Sequence, residues 1–253
     1  MICRIVTIFP QMMDAVLSES ILGRAREKDL VKIYLYDLRD FTEDRHRTVD
    51  DVPYGGGPGM VFKPEPLFRA VEHVFSLCAA GPDTPVYLTS PHGRVLDNAL
   101  ARDLAAEPEK IIICGHYGGV DDRVRQRFQA REISIGDFVL TGGELPALVI
   151  IDAAARFVPG VVGKPESVEE DTFSDGLLGA PLYTRPAEFA GWKAPEVLQS
   201  GHHARIMAWR RAKKLELTLR RRPDLLEKAS LSDNDIAILK SLGYGKEKHD
   251  GTS

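Results

Sequence analysis

What is scarce in this sequence narrows the choices before anything present is weighed. The 253 residues hold only three cysteines, Cys3, Cys78 and Cys114. They form no CxxC pair, so a disulfide framework or a cysteine-rich metal site is not expected, and buried thiols in a reducing cytoplasm are. No apolar run approaches the ~18–20 residues of a membrane span. The start, "MICRIVTIFPQMMD", has one Arg and then a strand-like run with no small-residue cleavage site, unlike a secretory leader. A GxSxG nucleophile elbow and an HExxH metal helix are both missing. His202 and His203 are adjacent, so on a helix they face apart and do not form a metal pair. No internal repeat and no long low-complexity tract is present. The expectation is a cytoplasmic globular protein with a substantial core, in one large domain or two ordinary ones, without a metal site of its own.

The apolar pattern gives the fold class. "ICRIVTIF" reads as a buried strand, residues 11–29 as a helix, and "VKIYLYDL" (31–38) as a second strand. Residues 40–63 are charged and then glycine-rich, with no period; loops this long are usually functional or disordered. A helix is expected from Pro64 to about Cys78, then strands at 85–90, 110–115 and 132–135. These alternate with helices at 96–107, 121–129 and 144–158. That alternation predicts an α/β protein with a mostly parallel sheet covered on both faces. In open sheets of this kind ligands bind beyond the carboxyl ends of the strands. "SPHGR" (90–94), "GHYGGVDD" (115–122) and "GDFVLTGG" (136–143) are placed there. After Pro159 the composition turns polar and acidic, as in a linker. Helices follow at Ala204 to Leu219, Pro223 to Lys228 and Ser232 to Leu242, the last opened by the capping signal in "LSDNDIAIL".

The glycine-rich stretches hold the chemistry. "VDDVPYGGGPGM" (49–60) lacks the Lys and hydroxyl of a phosphate loop, and Met60 stands where GxGxxG needs its last glycine. Gly55, Gly57 and Gly59 give GxGxG, but no buried strand precedes it. It is either a plain surface loop or bare backbone meant to lie close to a planar ligand. The loops at 115–122 and 136–143 are either ordinary strand-to-helix turns or walls of a pocket made of main-chain N–H and C=O groups. Such a pocket can pair with the edge of an adenine. Cys114, at the end of an apolar strand, reads as a structural thiol rather than a nucleophile. Arg156 either pairs with Asp152 one turn back or points its charge into a site. The acidic Glu169, Glu170 and Asp171 are either solvated linker or functional.

Charge is placed unevenly. The whole chain carries −4. Between His202 and Lys228, however, nine basic residues (Arg205, Arg210, Arg211, Lys213, Lys214, Arg220, Arg221, Arg222, Lys228) face three acids (Glu216, Asp224, Glu227). A local basic surface on a mildly acidic protein points to one anionic partner, against the alternative of a merely solvated helix face.

Taken together and in order, "FTEDRHRTVDDVPYGGGPGM", "CGHYGGVDDRV", "SIGDFVLTGGELPA", "RFVPGVVG", "EEDTF" and "YTRP" resemble the bacterial tRNA (guanine-N1-)-methyltransferase family over nearly the whole chain. The resemblance implies a SPOUT-type fold: residues 1–160 as an S-adenosylmethionine-binding domain with a deep trefoil knot, 161–175 as a linker, and 176–253 as a small helical tRNA-binding domain. It implies methylation of N1 of guanosine 37, beside the anticodon and preferably preceded by guanosine 36, by a homodimer that shares each active site. Asp171 is then the general base, and Arg156 stabilises charge on guanine O6. The cofactor residues implied are Leu88, Ser90, Pro91, Gly93, Gly115, His116, Tyr117, Ser134, Ile135, Gly136, Asp137, Phe138, Val139, Leu140, Gly142, Gly143 and Pro146. Those for the RNA are Asp50, Gly57, Pro58, Gly59, Lys213, Arg220, Arg221 and Arg222; Arg45 and Arg47 either join them or form salt bridges within their own loop. In one place the chain departs from the family. Gly118 stands where the family usually has a Glu linked to a Mg2+ requirement, which puts metal dependence in doubt. The competing readings are a SPOUT enzyme that methylates a ribose 2′-hydroxyl or another base, and a non-catalytic RNA-binding protein on the same fold.

Overall fold

In the computed structural model, residues 1–163 and 171–244 are described. The chain divides into two compact units, Met1–Pro165 and Glu166–Ser253.

The first unit is built on a five-stranded sheet. Its strands are β1 (Ile2–Thr7), β2 (Lys32–Asp37), β5 (Val86–Val95), β6 (Glu109–Cys114) and β7 (Arg131–Ser134), in the order β2-β1-β6-β5-β7. All four pairings are parallel. Parallel strands need crossovers that cover both faces, and the alternation of β6 shows why this sequence complies. Ile112 and Cys114 point into one core with Met13, Leu17, Leu100, Leu104 and Ile151. Ile111 and Ile113 point into the other with Leu67, Val71, Val74 and Val124. The first core is covered by α1 (Pro10–Leu17), α2 (Ser20–Glu27), α4 (Asn98–Ala106) and α6 (Glu144–Ala155), and the second by α3 (Pro64–Leu77) and α5 (Asp122–Phe128). The fold is the α/β, mostly parallel arrangement that the alternation of strands and helices predicts.

The differences from the sequence reading are local. The helix expected over 11–29 is two helices: Ser18 caps the first, and Ser20 takes φ +54° at the break. The loop 40–63 contains a short antiparallel hairpin, β3 (Asp50–Asp51) with β4 (Val61–Phe62). The helix expected to run to 158 ends at Ala155. "SPHGR" does not lie beyond its strand; it belongs to β5. Thr89 and Arg94 both pair with Ile133, so residues 90–93 bulge out of the ladder.

The second unit has a small core of Leu177, Leu215, Leu226 and Leu239. Its elements are a hairpin, β8 (Glu188–Phe189) and β9 (Trp192–Lys193), then α7 (Glu196–Gln199), α8 (His203–Arg221) and α9 (Asp233–Ser241). The hairpin and α7 have no counterpart in the sequence reading, and the helix expected from Pro223 to Lys228 is a 3₁₀ turn at Pro223–Leu225. α9 starts with the expected capping box, Ser232 and Asp235. Among the described residues no helix is long and apolar enough to cross a membrane.

Candidate active site

At the carboxyl edge of the parallel sheet the first unit holds a cavity of about 380 Å³. That is within the range of small-ligand sites. Three chain segments frame it. The bulge of β5 contributes Ser90, Pro91 and His92; the loop after β6 runs from Gly115 to Val120; the loop after β7 runs from Ser134 to Gly143. Leu88, Ile133, Ile135, Phe138, Val139, Leu140 and Pro146 give an apolar wall. Phe138, Val139 and Leu140 are exposed in succession, which is the surface a flat aromatic ring would cover.

Glycines set how these loops meet. The N–H of Gly143 donates to the carbonyl of Gly115 at 2.6 Å, and His116 and Gly142 form an antiparallel bridge. A Cβ on Gly143 would collide with Thr89 Oγ1 and approach Gly115 N at 2.7 Å. These glycines therefore serve close approach of two loops. Thr89 joins the same point, its hydroxyl donating to Ile113 O and accepting from Gly115 N, each at 3.3 Å.

Of the seventeen cofactor residues expected, all but Gly93 and Asp137 line the cavity. A Cβ on Gly93 would meet the backbone of Glu132 and Ile133, so this glycine lets the bulge lie against β7. Gly119, Val120, Asp122 and Thr141, inside the loops picked out in the sequence but not among the seventeen, also line the cavity, as do Thr89 and Arg125, which sequence reasoning missed. Arg125 donates to Asp122 at 2.6 Å; this pairing, with that to Gln126, holds the Asp122 carboxyl below its usual range. Glu144 was missed too. It is nearly fully buried, accepts from Thr7 Oγ1 at 2.9 Å and faces His116 Nδ1 at 3.5 Å. The His116 ring is also packed edge-on by Phe9 and Tyr117. Cys114 lies beneath, its thiol pushed well up by burial, which fits a structural group and not a nucleophile.

The glycine-rich stretch is tied to this cavity by main chain. Gly118 N–H donates to Met60 O at 2.7 Å, Phe62 N–H to Gly119 O at 3.0 Å, and Asp121 N–H to Phe62 O at 3.1 Å. Gly55, Gly56, Gly57 and Gly59 have φ of +86°, +75°, +122° and +91°, and a Cβ on any of them would meet nothing within 4 Å. Glycine is required here by backbone conformation rather than by crowding. Gly57, Pro58 and Gly59 thus stand on an exposed loop at the cavity's margin, with Asp50 half-buried at its base. Arg47 pairs with Asp40 within the loop, the structural alternative for that residue. Gly118 has no room for a side chain, since a Cβ would lie 2.8 Å from Met60 O.

Arg156 caps the end of α6, half-buried, with its N–H on Asp152 O at 3.4 Å. Asp171 is half-buried in the second unit, at the start of a tight loop in which Ser174 N–H donates to its carbonyl at 3.2 Å. Glu169 and Glu170 lie outside the described residues. On and just after α8 the expected RNA-binding cations are partly paired: Lys213 and Arg220 both pair with Glu216, at 2.7 and 2.9 Å, and Arg222, which follows the helix, with Asp224 at 2.7 Å. Arg221 is exposed.

A parallel α/β sheet of SPOUT type, with glycine-bearing loops closed around a cavity at its carboxyl edge and a separate helical unit that carries a basic helix, α8, defines the class. The family follows from comparison with known proteins. Residues 1–228 match the family described as tRNA (Guanine-1)-methyltransferase TrmD. The chain is 58% identical over 244 residues to the tRNA (guanine-N(1)-)-methyltransferase of Geobacter metallireducens, covering 96% of this chain and 98% of that one. It is 53% identical over 244 residues to that of Brevibacillus brevis (96% and 98%) and 52% over 238 residues to that of Dehalococcoides mccartyi (94% and 95%). The chain belongs to this family and is a tRNA guanine-N1 methyltransferase.

Proposed function

We propose that the chain methylates N1 of guanosine 37 in tRNA with S-adenosylmethionine as donor, preferring guanosine at 36. The proposal extends to a homodimer in the cytoplasm, with Asp171 as general base and Arg156 as the group that stabilises charge on O6. The observation that carries it is the cavity. It has an apolar wall, lining glycines on the loops after β6 and β7, and a volume of about 380 Å³. These residues fit the donor, with Leu88, Gly115, Ile135, Phe138, Leu140 and Gly143 as holders of its adenosine. The clasped loops at 115–119 and 141–143 are where the implied trefoil knot belongs.

When bound, the donor supplies an electrophilic methyl on a sulfonium. The rest falls to the protein. N1 of guanine carries a proton at neutral pH and is a poor nucleophile, so a base must take that proton as the methyl arrives. The Asp171 carboxylate does this once within hydrogen-bond reach of N1, a contribution of ~10²–10⁴-fold. Loss of the proton drives negative charge onto O6, and the Arg156 guanidinium stabilises it. The base must leave its stack to be reached, and the exposed glycine loop 55–59 offers bare backbone beside it.

The dimer is supported by an apolar surface. α6 is apolar nearly all round, which is the pattern of a helix covered on every side. Yet Leu145 and Val149 on it, with Phe9, Met12 and Val16 on and beside α1, are exposed. Gly118 supplies no side-chain oxygen, so any Mg2+ that transfer uses is held by other groups, and the chelation arm of the test reads whether transfer needs it. The test is transfer of labelled methyl to tRNA transcripts with guanosine or adenosine at 37, with and without EDTA. Label confined to guanosine 37 supports the proposal. Label on a ribose, on both transcripts or on neither refutes it.

A further inference from the structure

A general base works only if something holds it, and Asp171 lies on a loop, not a helix or strand. What holds that loop is α8. Asp175, four residues on, accepts from Arg211 Nη1 at 2.8 Å and from Lys214 Nζ at 3.0 Å. Leu177 is fully buried beside Leu215. Leu178 N–H donates to Thr218 Oγ1 at 2.9 Å. Arg211, Lys214, Leu215 and Thr218 are spaced by three and four, so they form one stripe along the helix. The loop is also closed on itself. Phe173 N–H donates to Leu177 O at 2.8 Å, and Gly179 N–H to Thr172 Oγ1 at 3.1 Å.

Arg211 is fixed from its other side. Its Nε and Nη2 bind the Asp235 carboxylate at 2.9 and 2.8 Å, and Asp235 also caps α9. One planar guanidinium thus joins the loop, α8 and α9, a geometry Lys does not reproduce. At about 100° per residue, Lys213, Glu216 and Arg220 fall roughly opposite the loop-holding stripe.

We infer that Asp175 and Arg211 are positioning residues for methyl transfer: they fasten the loop bearing Asp171 to the helix that bears the RNA-binding cations, so that RNA seated on one face of α8 meets a base fixed by the other. This rests on Asp171 being the base. Lys214 and Arg211, counted in the sequence among the basic residues of this region, serve the loop rather than the RNA.

The test compares Asp175→Ala, Asp175→Glu and Asp171→Asn with the wild-type chain. The readouts are single-turnover methylation at saturating tRNA, tRNA affinity, and amide exchange over residues 171–179. Displacement of a reacting group by about 1 Å costs up to roughly a hundredfold. Asp175→Ala is therefore expected to slow transfer about ten- to a hundredfold, with tRNA affinity within about twofold and faster loop exchange. Asp175→Glu should recover part of the rate. Should Asp175→Ala fail to fold, Asp175→Asn keeps the shape, weakens the pairing and is read the same way. Asp171→Asn inactive with Asp175→Ala at the wild-type rate overturns the positioning role and leaves the base standing. So does a slower Asp175→Ala with unchanged loop exchange. Asp171→Asn active at the wild-type rate overturns the base assignment and the positioning role with it.

Discussion

Gly118 is the point at which the glycine-rich loop and the cavity are joined, and Gly118→Ala measures what that joint is worth. The added Cβ would sit 2.8 Å from Met60 O, closer than real Cβ atoms come, so the carbonyl must move. The same oxygen accepts the Gly118 N–H at 2.7 Å, and moving it breaks that bond. A hydrogen bond of this kind contributes about 0.5–1.5 kcal/mol net. At 1.4 kcal/mol per decade that is about two- to twelvefold in the population of the joined state. The bonds Phe62 N–H to Gly119 O and Asp121 N–H to Phe62 O remain, at 3.0 and 3.1 Å, and Phe62 is buried, so the unit should stay folded. Calorimetric titration with S-adenosylhomocysteine should show weakening by that factor, and single-turnover methylation a loss at least as large. Gly57→Ala is the control. It strains a φ of +122° but touches nothing within 4 Å, and should leave S-adenosylhomocysteine affinity unchanged. Wild-type affinity and rate in Gly118→Ala would refute the idea that this contact matters.

Three further outcomes are expected. Replacing Arg220, Arg221 and Arg222 together by Ala should weaken tRNA binding and reduce the slope of log affinity against log salt by about two to three, read by filter binding; an unchanged slope rejects phosphate contact by these residues. Arg211 holds the Asp235 carboxyl well below the usual carboxylate range. A depressed folded pKa stabilises above the unfolded value and is lost as pH falls through the folded one, so the helical unit should lose stability below about pH 4. Asp235→Asn should cost about 2 kcal/mol at neutral pH and flatten that acid dependence, followed by fluorescence of Trp192 and Trp209, which both lie in this unit; an acid limb identical to wild type would count against it. Val149→Arg places a charge on the exposed apolar surface of α6 and should convert a dimer to a monomer in sedimentation velocity, with loss of activity; an unaltered dimer removes that surface from the interface.

The sheet was legible because its signal is local. A run such as Ile111–Ile113 buries both faces and needs nothing distant to be recognised. The capping box at Ser232 and Asp235 was legible for the same reason. The hairpin at Asp50–Asp51 and Val61–Phe62 was not, because two-residue strands carry no period and its bonds run to Gly119 and Asp121. The cavity loops could be picked out by their glycines, but not the reasons for each glycine. Gly93 yields to the backbone of β7, Gly143 to Thr89, and Gly57 to its own φ, and only the folded chain separates crowding from conformation. The pairings of Glu144 and Arg211, one in each unit, were invisible. Their partners Thr7 and Asp175 are 137 and 36 residues away, and spacing along the chain holds no trace of such pairings.

The central claim is that the carboxylate at 171 removes the N1 proton while the first unit's cavity holds the donor. Asp171→Asn keeps the side chain's size and removes its basicity. Single-turnover transfer to a guanosine-37 transcript should fall by about 10²–10⁴ while S-adenosylhomocysteine binds as in the wild type. Transfer within a few fold of wild type, or loss of S-adenosylhomocysteine binding along with the rate, would contradict it.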